Sequence, residues 1–213
     1  NNLDKLNIPY LMEFLKVLGI YTGFIVAFAA VLIVIRFTTK VPDYIFRKLL
    51  HCVAFTSIIP LVFATEIWWI AAAVEVLFLI VVFIALRFFE RFKFYKGLFV
   101  EKGKHEVITS FIALFGLMTV FIAVFWGLLG EERLYIAIGA IIAWGPGDAV
   151  AAMVGKNFGH HKLQGKFIEG VKSVEGSVGM ALTSFACLLP VLLLMSPLPP
   201  AVSIVTALVV ALL

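Results

Sequence analysis

Long apolar runs constrain the fold of this chain more than any other feature of its sequence. Crossing the hydrocarbon core of a bilayer takes about 17 to 25 apolar residues in a helix. Apolar runs at or near this length occupy residues 17–35, 49–64, 67–86, 107–129, 134–154, 174–195 and 201–213. Because backbone polar groups in lipid must be satisfied within their own segment, such runs predict transmembrane α-helices. We therefore expect an all-α, polytopic integral membrane protein with about seven transmembrane helices.

The composition agrees with this class. Hydrophobic residues make up 63% of the chain and charged residues 14%, which lies outside the usual range of soluble domains. Cys52 and Cys187 both fall in apolar runs and form neither a disulfide framework nor a metal-ligand spacing. Pro60 predicts a kink in the second span. We expect one transmembrane domain over residues 1–213.

The two ends of the sequence also carry expectations. The first residue is Asn1 rather than Met, and no cleavable signal peptide is evident before the first span. The last apolar run reaches Leu213 without a polar flank. We expect the natural polypeptide to extend beyond both ends.

The distribution of positive charge predicts the orientation. Fourteen of the 17 Lys and Arg residues lie in three alternate loops, and the loops between them contain only Arg133. These basic residues are Arg36, Lys40, Arg47, Lys48; Arg87, Arg91, Lys93, Lys96, Lys102, Lys104; and Lys156, Lys162, Lys166, Lys172. Because short cytoplasmic loops carry the excess of Lys and Arg, the three basic loops are predicted to be cytoplasmic and the N-terminus outside.

Asp148 is the strongest sign of a functional site. A charged side chain at the bilayer centre costs about 2.5 to 3.5 kcal/mol on insertion scales, so an intramembrane carboxylate needs a function and a partner. Asp148 lies about a turn and a half before the apparent end of its span, and the lysines of residues 156–172 follow it. We expect these lysines to surround it, directly or through a bound anion.

Small residues accompany Asp148 on one predicted helix face. Ala151, Ala152 and Gly155 follow it at i+3, i+4 and i+7, which lets a ligand or a neighbouring backbone approach closely. Close packing of two membrane helices is the alternative interpretation. The loop that follows, residues 155–162, contains glycines and cations of the kind that hold phosphates, but it is not a Walker A loop.

The segment Lys172–Ser177 lies at the start of the sixth span. Ser173 suits the N-cap position, with Gly176 and Ser177 in the first turn. Because a helix N-terminus presents free N–H groups, Lys172 and this turn are predicted to hold a phosphate, and Glu175 a metal ion. The alternative is a capped helix with a local ion pair between Lys172 and Glu175.

Other basic and histidine residues give weaker signals. Arg47 and His51 share one face of the second helix at i and i+4, although a snorkelling membrane anchor is the alternative there. His160 and His161 are adjacent and have no third ligand at a matching spacing, so we interpret them as solvated loop histidines. The loop of residues 87–106 suits an interfacial segment at lipid head groups.

Three of these segments carry a resemblance to a known family. They are R-K-L-L-H at residues 47–51, G-D-A-V-A-A-M-V-G-K-N-F-G-H-H-K at 147–162, and K-S-V-E-G-S at 172–177. In this order they resemble the motifs of the CTP-dependent lipid kinases, the polyprenol, dolichol and phytol kinases and the CTP-dependent diacylglycerol kinase. The resemblance covers about residues 46–180, which is the predicted catalytic core.

The resemblance implies an activity and its participants. The phosphoryl donor would be CTP with Mg²⁺, and the acceptor a long-chain isoprenoid alcohol or diacylglycerol. Catalytic roles fall on Arg47, Lys48, Asp148 and Lys172, and the metal ligands are Asp148 and Glu175. Nucleotide binding falls on His51, Gly155, Lys156, Gly159, Lys162, Ser173, Gly176 and Ser177. The family usually continues into an acidic, Asp-Asn-containing segment, which this sequence does not include.

We interpret the chain as a lipid kinase that transfers the γ-phosphate of CTP to a membrane alcohol, with its active site facing the cytoplasm and no nucleic-acid partner. One alternative is a phosphatidate cytidylyltransferase, although the Lys-Asp pair and the H-G-G-x-x-D-R-x-D element of that family are absent from the sequence. The other is a non-enzymatic anion carrier, although no inverted repeat is visible. The acceptor and the oligomeric state stay open.

Overall fold

The computed structural model describes residues 2–92, 95, 106–163 and 172–213. Within these ranges the regular structure is helical, apart from an isolated antiparallel bridge between Lys162 and Ser173. The all-α prediction is therefore confirmed for the described residues. Lys166 and most of the second basic loop, with Lys93, Lys96, Lys102 and Lys104, lie outside them.

The helices follow the apolar runs closely. They are α1 Asn2–Thr38, α2 Asp43–Thr56, α3 Ile58–Phe63, α4 Trp68–Phe89, α5 Glu106–Phe121, α6 Leu134–Phe158, α7 Val174–Met195 and α8 Pro200–Leu212. A π-helical turn, Ile122–Leu128, continues α5, and a 3₁₀ turn, Glu131–Arg133, precedes α6.

Six helical segments are long and apolar enough to cross a membrane. They are Ile8–Thr38, Asp43–Phe63, Trp68–Phe89, Val107–Leu128, Glu131–Phe158 and Val174–Met195. The seventh predicted run forms α8, whose 13 residues span about 20 Å, less than the hydrocarbon core of about 30 Å. The chain thus has the helices of an integral membrane protein, while a seventh crossing and an outside N-terminus stay predictions.

The first two spans differ in detail from the apolar runs that predicted them. Helix α1 begins at Asn2 rather than near Val17, since the residues before Val17 continue the helix despite Pro9. The second span is interrupted at Ser57, one turn before Pro60. Pro60 has no N–H to donate to the carbonyl of Thr56, so the helical hydrogen bonding fails at this point, in agreement with the predicted kink.

The described chain forms two compact units. Unit 1 comprises Asn1–Asp43 and Ser57–Glu131, and unit 2 comprises Tyr44–Thr56 and Glu132–Leu213. This division does not test the predicted single domain of residues 1–213 or the predicted catalytic core of residues 46–180, and both stay predictions.

Unit 1 is built around α4, which packs against α1, α3, α5 and the π-helical turn. Aromatic rings dominate its core. The ring of Tyr21 meets that of Phe78 edge-on at a centroid distance of 5.1 Å, and Phe78 contacts Phe115 at 5.5 Å. Tyr21 and Phe115 are completely buried. This interior also contains one carboxyl group, that of Glu75.

Unit 2 is built on the antiparallel pair α6 and α7, with α8 packed against α7. Gly139 of α6 faces Leu188 of α7, whereas Gly155, four turns further along α6, faces Gly176 near the start of α7. Side chains of α2 reach α6: Phe55 packs edge-on against Trp144 at a centroid distance of 5.0 Å. The predicted functional segments all belong to this unit.

Candidate functional site in unit 2

A stripe of small residues brings the backbones of α6 and α7 together. They recur every fourth position at Gly139, Ala143, Gly147, Ala151, Gly155 and Gly159. A Cβ atom added to Gly176 would lie 2.9 Å from the carbonyl oxygen of Ala151, and Ser184 Oγ donates to the carbonyl of Ala143 at 2.9 Å. Helix packing therefore accounts for Ala151 and Gly155, two members of the small face predicted beside Asp148.

Asp148 forms an ion pair with α2. Lys48 Nζ lies 2.5 Å from Asp148 Oδ2, across 100 residues of sequence. The side chains are 25% and 48% exposed, so the pair is only partly withdrawn from solvent. Among the described residues the ion-pair partner of Asp148 is Lys48, which precedes it on another helix, and not a lysine of residues 156–172; a contact with those lysines through a bound anion stays a prediction.

A second contact between α2 and α6 lies at the first turn of α2. The Tyr44 hydroxyl donates to Asn157 Oδ1 at 2.7 Å, and Lys156 Nζ stands 3.7 Å from the centre of the Tyr44 ring. This cation–π contact adds to the hydrogen bond in fixing the end of α6 against α2. Because Tyr44 precedes Lys48 by one helical turn, both contacts come from one face of α2.

The start of α7 is capped as its sequence predicts. Ser173 Oγ accepts a hydrogen bond from Gly176 N at 3.2 Å, and the Ser173 carbonyl accepts one from Ser177 N at 3.1 Å. The bridge between Lys162 and Ser173 ties this cap to the segment after α6, through Leu163 N donating to the Lys172 carbonyl at 2.9 Å. The predicted N-cap at Ser173 is confirmed.

Glu175 holds the turn that follows α6. Its Oε1 accepts hydrogen bonds from the backbone N–H groups of His160 and His161, both at 3.2 Å, and lies 2.7 Å from His161 Nδ1. Among the described residues, the observed ion pair of Glu175 is with His161 and not the local pair with Lys172 that was the alternative interpretation, and the metal role of Glu175 stays a prediction. His161 stays 81% exposed, so it is a solvated loop histidine that nevertheless has a carboxylate partner.

The two predicted metal ligands have different partners. No group of three or more His, Cys, Asp or Glu residues suited to a metal ion occurs in the described part of the chain. Seven residues separate Asp148 from Gly155, about 10 Å along α6, and Glu175 is next to the Gly176 that faces Gly155. Mg²⁺ is often held by one or two carboxylates together with substrate phosphates, so the single carboxylate of Asp148 is sufficient for such a site.

The structure places every predicted site residue in unit 2, but in different settings. Lys48, Asp148, Glu175 and Ser173 make the contacts above. Arg47 and His51 are half-buried on α2, while Lys162 and Lys172 are exposed beside the bridge. Tyr44 and Asn157 were not predicted from the sequence, although the position of Tyr44 four residues before Lys48 places both side chains on one helix face and could have identified it.

No protein-family model, curated protein or solved structure matches this chain.

Proposed function

We propose that this protein is a CTP-dependent lipid kinase, which transfers the γ-phosphoryl group of CTP to the hydroxyl of a membrane alcohol and releases CDP. One observation carries the proposal. The first motif, at residues 47–51, is distant in sequence from the other two, at 147–162 and 172–177, yet all three lie in one compact unit. Lys48 of the first motif contacts Asp148 of the second, and Glu175 of the third contacts His161 of the second.

The residues in this cluster suit phosphoryl transfer. The reaction asks a protein chiefly to position the phosphates and neutralise their charge. Lys48, Arg47 and Lys172 supply positive charge near the ends of α2 and α7. The first turn of α7 adds the positive end of its helix dipole. The nucleotide phosphates would therefore bind between Lys48 and the Ser173 cap.

Asp148 and Glu175 take different roles in this proposal. Asp148 would hold Mg²⁺, which neutralises phosphate charge when it is bound. Lys48 then neutralises Asp148 in the absence of nucleotide and turns toward the phosphates in its presence. Glu175 already accepts three hydrogen bonds from His160 and His161, so we assign it the positioning of the phosphate-binding turn rather than a metal.

The proposal is tested by following the phosphate. The purified protein in detergent is given CTP labelled at the γ-phosphate, Mg²⁺ and a panel of polyprenols, phytol, dolichol and diacylglycerol. We expect label in one lipid and formation of CDP. Asp148→Asn should lower the transfer rate by at least about 100-fold, because losing a preorganised charge contact costs about 2.7 kcal/mol or more. Asp43→Asn, which breaks the exposed pair with Arg36, should leave the rate unchanged.

Other products would reject the kinase. Pyrophosphate released only in the presence of phosphatidate would identify a cytidylyltransferase, in which the lipid phosphate attacks the α-phosphate of CTP. Anion uptake into proteoliposomes without nucleotide turnover would identify a carrier. Full activity of Asp148→Asn would remove Asp148 from the site even if the kinase reaction were observed.

A further inference from the structure

Unit 1 contains a buried carboxyl group that phosphoryl transfer in unit 2 does not use. Glu75 lies within α4, about 10 Å along the helix from its first residue, Trp68. Its side chain is 0% exposed, and among the described residues neither carboxylate oxygen has a hydrogen-bond partner. The sequence analysis overlooked it, although the insertion cost that draws attention to Asp148 applies equally to Glu75.

The burial of Glu75 leaves a charge to be balanced. An ionised carboxylate buried in an apolar interior is very unfavourable unless a positive charge or hydrogen bonds compensate it. No Lys, Arg or His of the described chain forms an ion pair or hydrogen bond with Glu75. An ionised Glu75 therefore has no cationic partner among the described residues and needs a bound cation to balance its charge; without one, the carboxyl group holds a proton.

Two buried hydroxyl groups supply further oxygen atoms. Ser57 Oγ donates to Tyr21 Oη at 3.3 Å, and the Tyr21 hydroxyl is a polar neighbour of the Glu75 carboxyl. All three side chains are completely buried. Carboxylate and hydroxyl oxygens are hard donors, which favour hard cations over soft ones. One negative charge among neutral oxygens matches a monovalent ion.

The helical backbone is interrupted next to this cluster. Ser57 lies at the interruption between α2 and α3. In membrane transporters, interrupted helices supply coordinating groups for Na⁺ within the bilayer. From the buried carboxyl, the two hydroxyls and this interruption, we propose that Glu75, Tyr21 and Ser57 form an intramembrane binding site for an alkali cation.

A carbodiimide experiment tests the proposal. Dicyclohexylcarbodiimide modifies protonated carboxyl groups in apolar surroundings, and a bound cation displaces the proton. The purified full chain is treated with the reagent in NaCl, LiCl, KCl or choline chloride, and modification of Glu75 is followed by mass spectrometry. We expect at least one alkali salt to slow modification about tenfold relative to choline, as mass action gives when the ion exceeds its Kd tenfold.

Variants provide an independent readout. The chosen alkali cation should raise the thermal unfolding temperature of the wild type and of Glu66→Gln, a control at an exposed loop carboxylate. Glu75→Gln should lose this shift. Tyr21→Phe, which keeps the ring on Phe78, should need a higher salt concentration to produce it.

Two results would overturn the site. Equal modification rates in all four salts would show that Glu75 holds only a proton. If Glu75 is not modified in any salt, the thermal unfolding temperature decides. The proposal is contradicted if no alkali cation raises this temperature in the wild type, or if the cation still raises it in Glu75→Gln. Failure of Glu75→Gln to fold leaves the wild-type salt comparison as the deciding measurement.

Discussion

The contact between Lys48 and Asp148 ties together the two helices that carry the first two motifs. Its strength depends on solvation, because partly exposed ion pairs contribute far less than Coulomb's law suggests in a dry interior. With the aspartate carboxylate about half exposed, we treat the pair as a modest contribution to stability that also fixes both charges in place.

A double-mutant cycle measures this contribution. Lys48→Met and Asp148→Asn should each lower the free energy of unfolding. The decrease in the double variant should be smaller than the sum of the two single decreases by about 1 kcal/mol. Denaturant unfolding in detergent provides the measurement. Additive losses would mean that the two side chains do not interact in the folded protein.

Ser173 allows a second test at this scale. Replacing Ser173 by Ala removes the acceptor for Gly176 N at the start of α7 and should cost about 1 kcal/mol of stability. Ser177→Ala removes only a hydroxyl bonded to an already bonded carbonyl and should cost less. Equal losses in equilibrium unfolding of the two variants would contradict the capping role.

Residue-level predictions from sequence succeed when the partners are local. Ser173 was identified as a cap because the acceptor, Ser173 Oγ, and the donor, Gly176 N, belong to residues only three positions apart. The partner of Asp148 was not identified, since helical spacing does not say that Lys48, 100 residues earlier, reaches the same place. For the same reason the alternative interpretation of Glu175 named Lys172, three residues away, as its partner and not His161.

At the scale of helices, the contact between α6 and α7 depends on missing side chains. Gly176→Ala should destabilise unit 2 by about 2 kcal/mol, because its Cβ would press on the Ala151 carbonyl, which belongs to the backbone and cannot rotate away. Gly116→Ala in α5 is the matched control: no atom of the described residues lies within 4 Å of its added Cβ, so helix propensity should make it neutral or stabilising. Thermal unfolding of both variants gives the comparison, and a stable Gly176→Ala would show that the helices are further apart.

Hydropathy predicted the membrane helices well and their irregularities poorly. The predicted run of residues 174–195 coincides with α7, and residues 67–86 lie almost wholly within α4. The π-helical turn was not predicted, since Leu129 N bonding to the carbonyl of Val124 at 2.9 Å leaves no trace in hydrophobicity. A run of apolar residues reports burial in lipid, not the hydrogen-bonding register within it.

For the whole molecule, the distribution of Lys and Arg predicts the orientation in the membrane. Variants in which Cys52 and Cys187 are replaced by Ala receive single cysteines at Lys40, Lys162, Glu66 or Glu131. A membrane-impermeant thiol reagent should reach the first two only from the cytoplasmic side and the last two only from outside, because Lys and Arg mark cytoplasmic loops. If the cysteines that replace Lys40 and Lys162 react from opposite sides of the membrane, the predicted alternation of basic loops is wrong.

The division into two units could not be derived from the apolar runs. Seven similar runs do not specify which helices pack together, since lipid-facing and buried faces are both apolar in a membrane protein. The small stripe on α6 indicated close packing but not its partner. Only the structure assigns α2 to the unit that contains α6 and α7.

This assignment has a consequence for biosynthesis. The ribosome completes Tyr44–Thr56 before it makes the Ser57–Glu131 segment of unit 1, and the rest of unit 2 follows. At about 5 to 20 residues per second, Lys48 emerges about 5 to 20 s before Asp148. During that interval the nascent α2 carries a lysine without its carboxylate, so unit 2 is completed only after the ribosome has made α6.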